Sequence, residues 1–318
     1  MPRVLQPVDI GDRYACLYQL CSSAMELRQL LYFVTVVDAG SLSRGAVVLD
    51  LAQPSLSRQI ALLEADLGQR LLVRTGRGVV PTEAGEALLI HARAMLDISR
   101  QARDELRDMD ESPAGRIIVG MPPRVALGLS TPLVQRFRER FPRAVITVLE
   151  GLSVALRESL IAGRLDLALL FDPAASPQLT FQPLMREKLL LVAPPASRLP
   201  AKVGLAALAN YPMVLPSAPN AIRHLLDSVL NPRRIQLQVL AEVGAVQTVL
   251  ALVATGVGCT ILPESALRAS GNEKLQRAPI GPPTIWNALM LATPVARPAT
   301  RLTRGTAQLL QELDFRQR

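Results

Sequence analysis

The sequence predicts a mainly helical N-terminal part, a long connecting helix and then a parallel α/β region. Apolar residues recur at helical spacing from Leu27 to Leu67 and again beyond Thr82. From Arg116 onward, short apolar runs of strand character alternate with amphipathic helices, the order that builds a parallel sheet. A chain of 318 residues also exceeds what one core usually organises, so two or three domains are expected.

The elements follow in order. In "ELRQLLYFVTVV", residues 26–37, Leu27, Leu30, Leu31, Val34 and Val37 form one helical stripe. Gly40 ends that helix. The Ser41 hydroxyl can cap the next one, roughly 41–49, by accepting from an orphan amide. After a break at Asp50 to Ala52, Gln53 and Pro54 open a third helix, where a first-turn proline loses no hydrogen bond. Leu56, Ile60, Leu63 and Leu67 give it an apolar stripe. The opposite front carries Gln53, Ser55, Ser57, Arg58 and Gln59, which are hydrogen-bonding residues rather than a solubilising Glu/Lys mix. Helix, short turn and helix with a polar front is the plan of a helix-turn-helix.

Beyond Gly68, Leu71-Leu72-Val73 and Val79-Val80 flank "RTGRG" and read as a two-stranded hairpin, or wing. Arg70, Arg74 and Arg77 lie near its tip, with no acid between Asp66 and Glu83. Thr82 caps a helix running to about residue 109, a span of about 40 Å at 1.5 Å per residue. No small domain needs that length, so a linker and dimer-forming helix is expected. "DMDESPAG", 108–115, breaks the chain. Next come the strand "RIIVGM", the helix "LVQRFRERFP", the strand "AVITVLEG", the helix "ALRESLIAGR" and the strand "LDLALLF". "EKLLLVAPP", 187–195, leads into a second set containing "YPMVLPS", a helix at 220–229, "IQLQVLAEV", a helix at 246–255 and "GCTILP". "IWNALMLATP" and "TRLTRGTAQLLQELD" supply the last strand and helix.

Composition narrows the function. The chain is 49% hydrophobic and 19% charged, which is globular rather than disordered. A net charge of +8 favours polyanionic partners. No uninterrupted apolar run reaches the length of a membrane span, so no transmembrane helix is expected, and no membrane partner is assigned. Cys16, Cys21 and Cys259 form no disulfide framework and fit a reducing compartment. Residues 1–24 are interrupted by Asp9 and Asp12 and make a poor signal peptide. Patterned sequence opens at Met25, which is the expected natural start, with 1–24 an extension that is disordered or not native.

Enzyme chemistry finds little support. His91 and His224 each lie in a helix without a second ligand at metal spacing. No G-x-S-x-G, Walker loop or H-E-x-x-H occurs. "GVGCTI", 256–261, runs from helix to strand, the reverse of a dinucleotide fingerprint, and reads as a tight turn. No catalytic residue, cofactor or metal site is expected. Major-groove readout, by contrast, needs donors and acceptors at the start of a helix, and phosphate contacts need arginines on flanking elements. Gln53, Ser55, Ser57 and Arg58 supply the first; Arg70, Arg74 and Arg77 supply the second.

These residues carry a resemblance. "MELRQLLYFVTVVDAGSLSRGAVVLDLAQPSLSRQIALLEADLGQRLLVRTGRGVVPTEAGEALL" resembles the N-terminal domain of LysR-type transcriptional regulators. The match is near-continuous over 25–90 and most specific in "AQPSLSRQI", "LLEADLGQRLLVR" and "PTEAG". It continues more loosely through "FRERFP", "EGLS", "GRLDLALL" and "TGVGCTILP". "GMPPR" and "LPSAPN" are loosely similar to the branch containing nitrogen-assimilation regulators.

The resemblance implies a winged helix-turn-helix at 25–82 and a dimerising linker helix at 83–110. A two-lobed α/β effector domain resembling periplasmic binding proteins would follow, with lobe I at 116–187 and 281–318 and lobe II at 188–280. It implies a cytoplasmic homodimer or homotetramer on double-stranded promoter DNA, with a small-molecule effector and RNA polymerase as further partners. Base-reading positions carry over to Gln53, Pro54, Ser55, Ser57 and Arg58, and the wing position to Arg74. Ala52 departs from the usual Ser/Thr cap, a loss of about 1 kcal/mol.

Effector contacts are expected between the lobes, at helix N-termini and strand ends. Candidates are Arg124, Ser153, Ser217, Asn220 and Thr260. Arg124 takes a place where related regulators commonly have Ser or Thr. It cannot cap amides, having no acceptor, so either it turns to solvent or it clamps an anionic effector. A reading of another class remains, a small-molecule-binding or enzymatic α/β protein with an incidental helical N-terminus.

Overall fold

In the computed structural model the described residues are 25–76, 78–107, 113–269, 274–313 and 315; the 1–24 extension and Arg77 lie outside them. The chain divides into two compact units, through Arg100 and from Gln101.

In the first unit, α1 (Leu27–Ala39) opens with a capping box between Glu26 and Gln29 and closes at Gly40 in the left-handed region. Ser41 Oγ accepts from Arg44 N and starts α2 (Leu42–Val48). α3 (Gln53–Leu67) has Pro54 in its first turn and ends at Gly68. Leu56 and Leu63 are sealed, Ile60 nearly so, whereas Leu67 on the last turn is exposed. Leu56, Ile60 and Leu63 pack with Leu30, Phe33, Val36, Ala46, Leu71, Val79 and Ala92 in two adjoining clusters.

The wing is β1 (Leu72–Thr75) antiparallel to β2 (Gly78–Pro81). Val79 N donates to Gly40 O at 2.9 Å, fastening the wing to the end of α1. That approach requires glycine at Gly78: its φ is +140°, and a Cβ there would stand 2.3 Å from Gly40 O. Thr82 Oγ1 accepts from Gly85 N at 3.0 Å and starts α4 (Glu83–Arg107), 25 residues long.

The second unit begins with β3 (Gly115–Met121), α5 (Pro123–Arg140), β4 (Ala144–Glu150), α6 (Ser153–Ile161) and β5 (Leu167–Phe171). β3 lies parallel to both β4 and β5. A 15-residue strand follows, β6 (Leu179–Ala193). Next come β7 (Pro212–Pro216), α7 (Ala221–Leu230), β8 (Gln238–Val243) and α8 (Val246–Ala254). β9 (Thr260–Pro263), α9 (Glu264–Ala269), β10 (Gln276–Pro279), β11 (Trp286–Pro294) and α10 (Arg301–Glu312) complete it. The main sheet runs β10-β6-β11-β5-β3-β4, with β9 also on β6; β7 and β8 pair separately.

Two larger cores show the lobes, beside a smaller cluster around Leu156, Leu160, Leu170 and Leu179. One gathers Leu189 to Ile285 around Met213, Leu226 and Ile261. The other gathers Ile117, Leu133, Phe137, Leu167, Leu291 and Leu310. The chain crosses between them within β6 and again between β10 and β11. The part of β6 before Glu187 does not show in the periodicity. Pro183 lies where the pairing with β11 slips at Leu289/Met290, a bulge that tolerates a missing N–H.

Candidate DNA-reading surface and interlobe cleft

α3 presents its first turns outward. Pro54, Ser55 and Arg58 are exposed, Gln53 and Ser57 half-buried, while Leu56 anchors the opposite face. Ala52 is the N-cap and offers no side-chain acceptor. The wing adjoins this front, since Arg74 Nη2 donates to Ser57 Oγ at 3.3 Å. Glu64, unnoticed in the sequence, fixes the angle between the two: its Oε1 accepts from Leu71 N at 2.8 Å and Leu72 N at 3.1 Å. Arg70 is exposed, its backbone held where Thr82 Oγ1 donates to its carbonyl at 2.6 Å.

Between the lobes lies a cavity of about 170 Å³. Four helices start on its wall: α5 at Pro122–Arg124, α6 at Leu152–Ser153, α7 at Asn220–Ile222 and α8 at Ala245–Gln247. Helix starts carry orphan amides and the positive end of the dipole. Asn220 Oδ1 accepts from Ile222 N at 2.9 Å and so satisfies its own helix. Pro122, Leu152 and Ala245 provide no side-chain cap at the other three. Ser153 Oγ accepts from Phe171 N at 3.0 Å.

Arg124 is also on this wall, yet its side chain is only 9% exposed. Its Nη1 donates to Glu187 Oε1 at 2.5 Å and also to Ser265 Oγ. Nη2 donates to Asn287 Oδ1 at 3.1 Å. The Phe171 ring centroid lies 4.3 Å from the guanidinium carbon, a cation–π contact. Burial lowers the Arg124 pKa against the opposing pull of Glu187 and Asp172. Asn287 passes the network on to Asp172 Oδ2 at 2.5 Å. Partial burial raises the Asp172 carboxyl, opposed by its bonds from Ala288 N and Asn287.

Comparison with known families decides the identity. Residues 27–86 match the bacterial regulatory helix-turn-helix protein family of lysR type, and residues 110–314 match the LysR substrate binding domain. The chain belongs to the LysR family. This LysR-family protein is a transcriptional regulator with a DNA-binding and an effector-binding domain, not an enzyme. It is 38% identical over 247 residues to nitrogen assimilation regulatory protein nac of Klebsiella aerogenes, covering 77% of this chain and 80% of that protein. The nac protein of Escherichia coli K12 is 39% identical with the same coverage. Full-length OxyR from Pseudomonas aeruginosa, a cysteine variant, matches with a TM-score of 0.75 over 92% of this chain and 96% of that one. Its 21% identity makes this a likeness of fold alone. Full-length BenM matches with a TM-score of 0.56 at 26% identity, over 90% and 96% of the two chains.

In this LysR-family regulator the structure gathers Arg124, Ser153 and Asn220 on one cavity. Two expectations need correction. Arg124 does not turn to solvent, because a buried carboxylate, a hydroxyl and an amide take its donors. Thr260 is 0% exposed within β9 and does not line the cavity. Its place follows from Gly258, where a Cβ would stand 2.8 Å from Pro212 O, so the chain enters β9 pressed against β7. Ser217 is half-buried beside Gly244 and also stays off the wall. Phe171 and Gln247, which do line it, carry no sequence signal that marks them. Among the described residues no group of three His, Cys, Asp or Glu could hold a metal, and no single helix is long and apolar enough to cross a membrane.

Proposed function

We propose that this regulator reads promoter DNA with Gln53, Pro54, Ser55, Ser57 and Arg58, holds phosphates with Arg70, Arg74 and Arg77, and responds to a small organic anion in the interlobe cavity. It works in the cytoplasm as a homodimer or homotetramer and communicates with RNA polymerase. The two nac relatives support a role among genes of nitrogen assimilation.

The observation that carries the effector class is the meeting of four helix N-termini on one cavity, three of them without a side-chain cap. Such amides and dipoles favour negative charge. The anion rests on backbone N–H groups of α6 and α8, with Ser153, Asn220 and Gln247 around it and Leu152, Phe171 and Ile222 as apolar wall. Arg124 is engaged elsewhere and is not the sole clamp. The test is fluorescence anisotropy on the native promoter with a panel of carboxylates, phosphate esters and neutral metabolites. Carboxylates or phosphate esters should shift the DNA affinity; a shift by neutral compounds alone overturns the anion assignment.

A further inference from the structure

Arg124 is a partition as well as a wall. On its far side, with Ser265, it lines a second cavity of about 40 Å³, and Phe171 borders both spaces. Its donors are committed unevenly. Nη1 holds Glu187 and Ser265, Nη2 holds Asn287, and Nε has no hydrogen-bond partner among the described residues. Glu187, on the strand that crosses between lobes, has donors besides Arg124. Ser265 Oγ donates to its Oε1 at 2.9 Å, and Ser265 N lies 3.4 Å from its Oε2. The Glu187 side chain is only 12% exposed.

We infer that Glu187 stands on Arg124 in the place of an effector's acid group: an anion in the cleft competes for the guanidinium, and Glu187 is then held by Ser265 of α9. The inference rests on the anionic effector proposed above. Removing one member of a buried ion pair leaves an uncompensated charge and is strongly destabilising. In an exchange the arginine keeps a carboxylate, and Glu187, which retains the two neutral donors of Ser265, stays beside the guanidinium rather than losing it. A guanidinium with five N–H groups can engage both acids as one replaces the other. The exchange loosens a contact between α5 in one lobe and α9 in the other, which carries cleft occupancy across the lobe boundary. Glu187 and Ser265 are thus positioning residues for the ligand response.

The test uses full-length protein with butyrate as probe. Thermal-shift titration reads affinity, and amide exchange over 152–155 and 245–249 reads location. Glu187→Gln, which frees the guanidinium, should bind butyrate at least tenfold more tightly than the natural protein. Adding Arg124→Gln should abolish the gain, and Ser265→Ala alone should weaken binding. Equal affinity for the natural protein and Glu187→Gln, with the cleft amides protected in both, overturns the exchange and leaves the anionic effector standing. No protection of those amides in either protein overturns both. Should the Arg124 variant fail to fold, the comparison of natural protein with Glu187→Gln still decides.

Discussion

Arg58 and Arg74 sit on adjoining elements, and the roles proposed for them on DNA differ. Arg58 projects from the first turns of α3, where side chains reach base edges. Arg58→Ala should cost about 1–3 kcal/mol on the operator and much less on random DNA. Arg74 lies on the wing, its guanidinium on Ser57 Oγ. Arg74→Ala should weaken both kinds of DNA and flatten the salt slope by about 1. Equal losses on both DNAs for Arg58→Ala would remove its base-reading role. Thr260 gives a separate test. Its Oγ1 is buried without a partner among the described residues. An unsatisfied hydroxyl costs about 1–3 kcal/mol, so Thr260→Val should raise the unfolding free energy by about 1 kcal/mol in denaturant titration. A loss of stability would mean that the hydroxyl is satisfied. Side-chain environments were legible where they are set locally, as for Leu56, Ile60 and Leu63 on α3. They were not legible at Arg124, whose partners lie 63, 141 and 163 positions away. A capping argument sees only neighbouring backbone, and no single-sequence pattern announces a carboxylate arriving on a distant strand.

At the scale of elements, start and stop signals carried most of the reading. Gly40, Ser41, Pro54, Gly68 and Thr82 each sit at the helix boundary that their backbone chemistry suggests. The wing was legible as two apolar runs around a glycine-rich turn, but its dependence on Gly78 was not, since Gly40 O approaches from another element. Gly78→Ala should therefore cost at least about 1–3 kcal/mol through backbone strain and weaken DNA binding in parallel. A Gly78→Ala protein with unchanged melting temperature would show that the wing adapts freely. Ala52 offers the opposite experiment. Its backbone is extended, as a cap requires, and only the acceptor is missing. Ala52→Ser should stabilise α3 by about 0.5–2 kcal/mol. Unchanged or lowered stability would show that the α3 amides already have partners. Only the second half of β6 is legible in apolar periodicity, because Pro183 interrupts the alternation where the strand bulges.

At the scale of the molecule, apolar surface argues for assembly. On α4, Ile90 is 38% and Ile98 40% exposed, eight residues apart and so near one face of the helix. A 25-residue helix keeps such a stripe out of water by pairing with a second copy. Ile90→Glu together with Ile98→Glu should convert a dimer to monomers in light scattering, and DNA with two half-sites should lose affinity. The effector unit has its own exposed edges. β4 ends the main sheet with Val145 53% exposed, and β8 ends the smaller pair with Leu240 50% exposed. Unpaired, apolar edges of this kind invite another chain unless covered. Leu240→Glu should therefore leave the α4 dimer intact and halve a tetramer in mass. The separation of the two effects is the decisive feature. A monomer of the natural protein at micromolar concentration refutes assembly altogether. A tetramer that survives Leu240→Glu but falls to monomers on the α4 substitutions would place every subunit contact on the long helix.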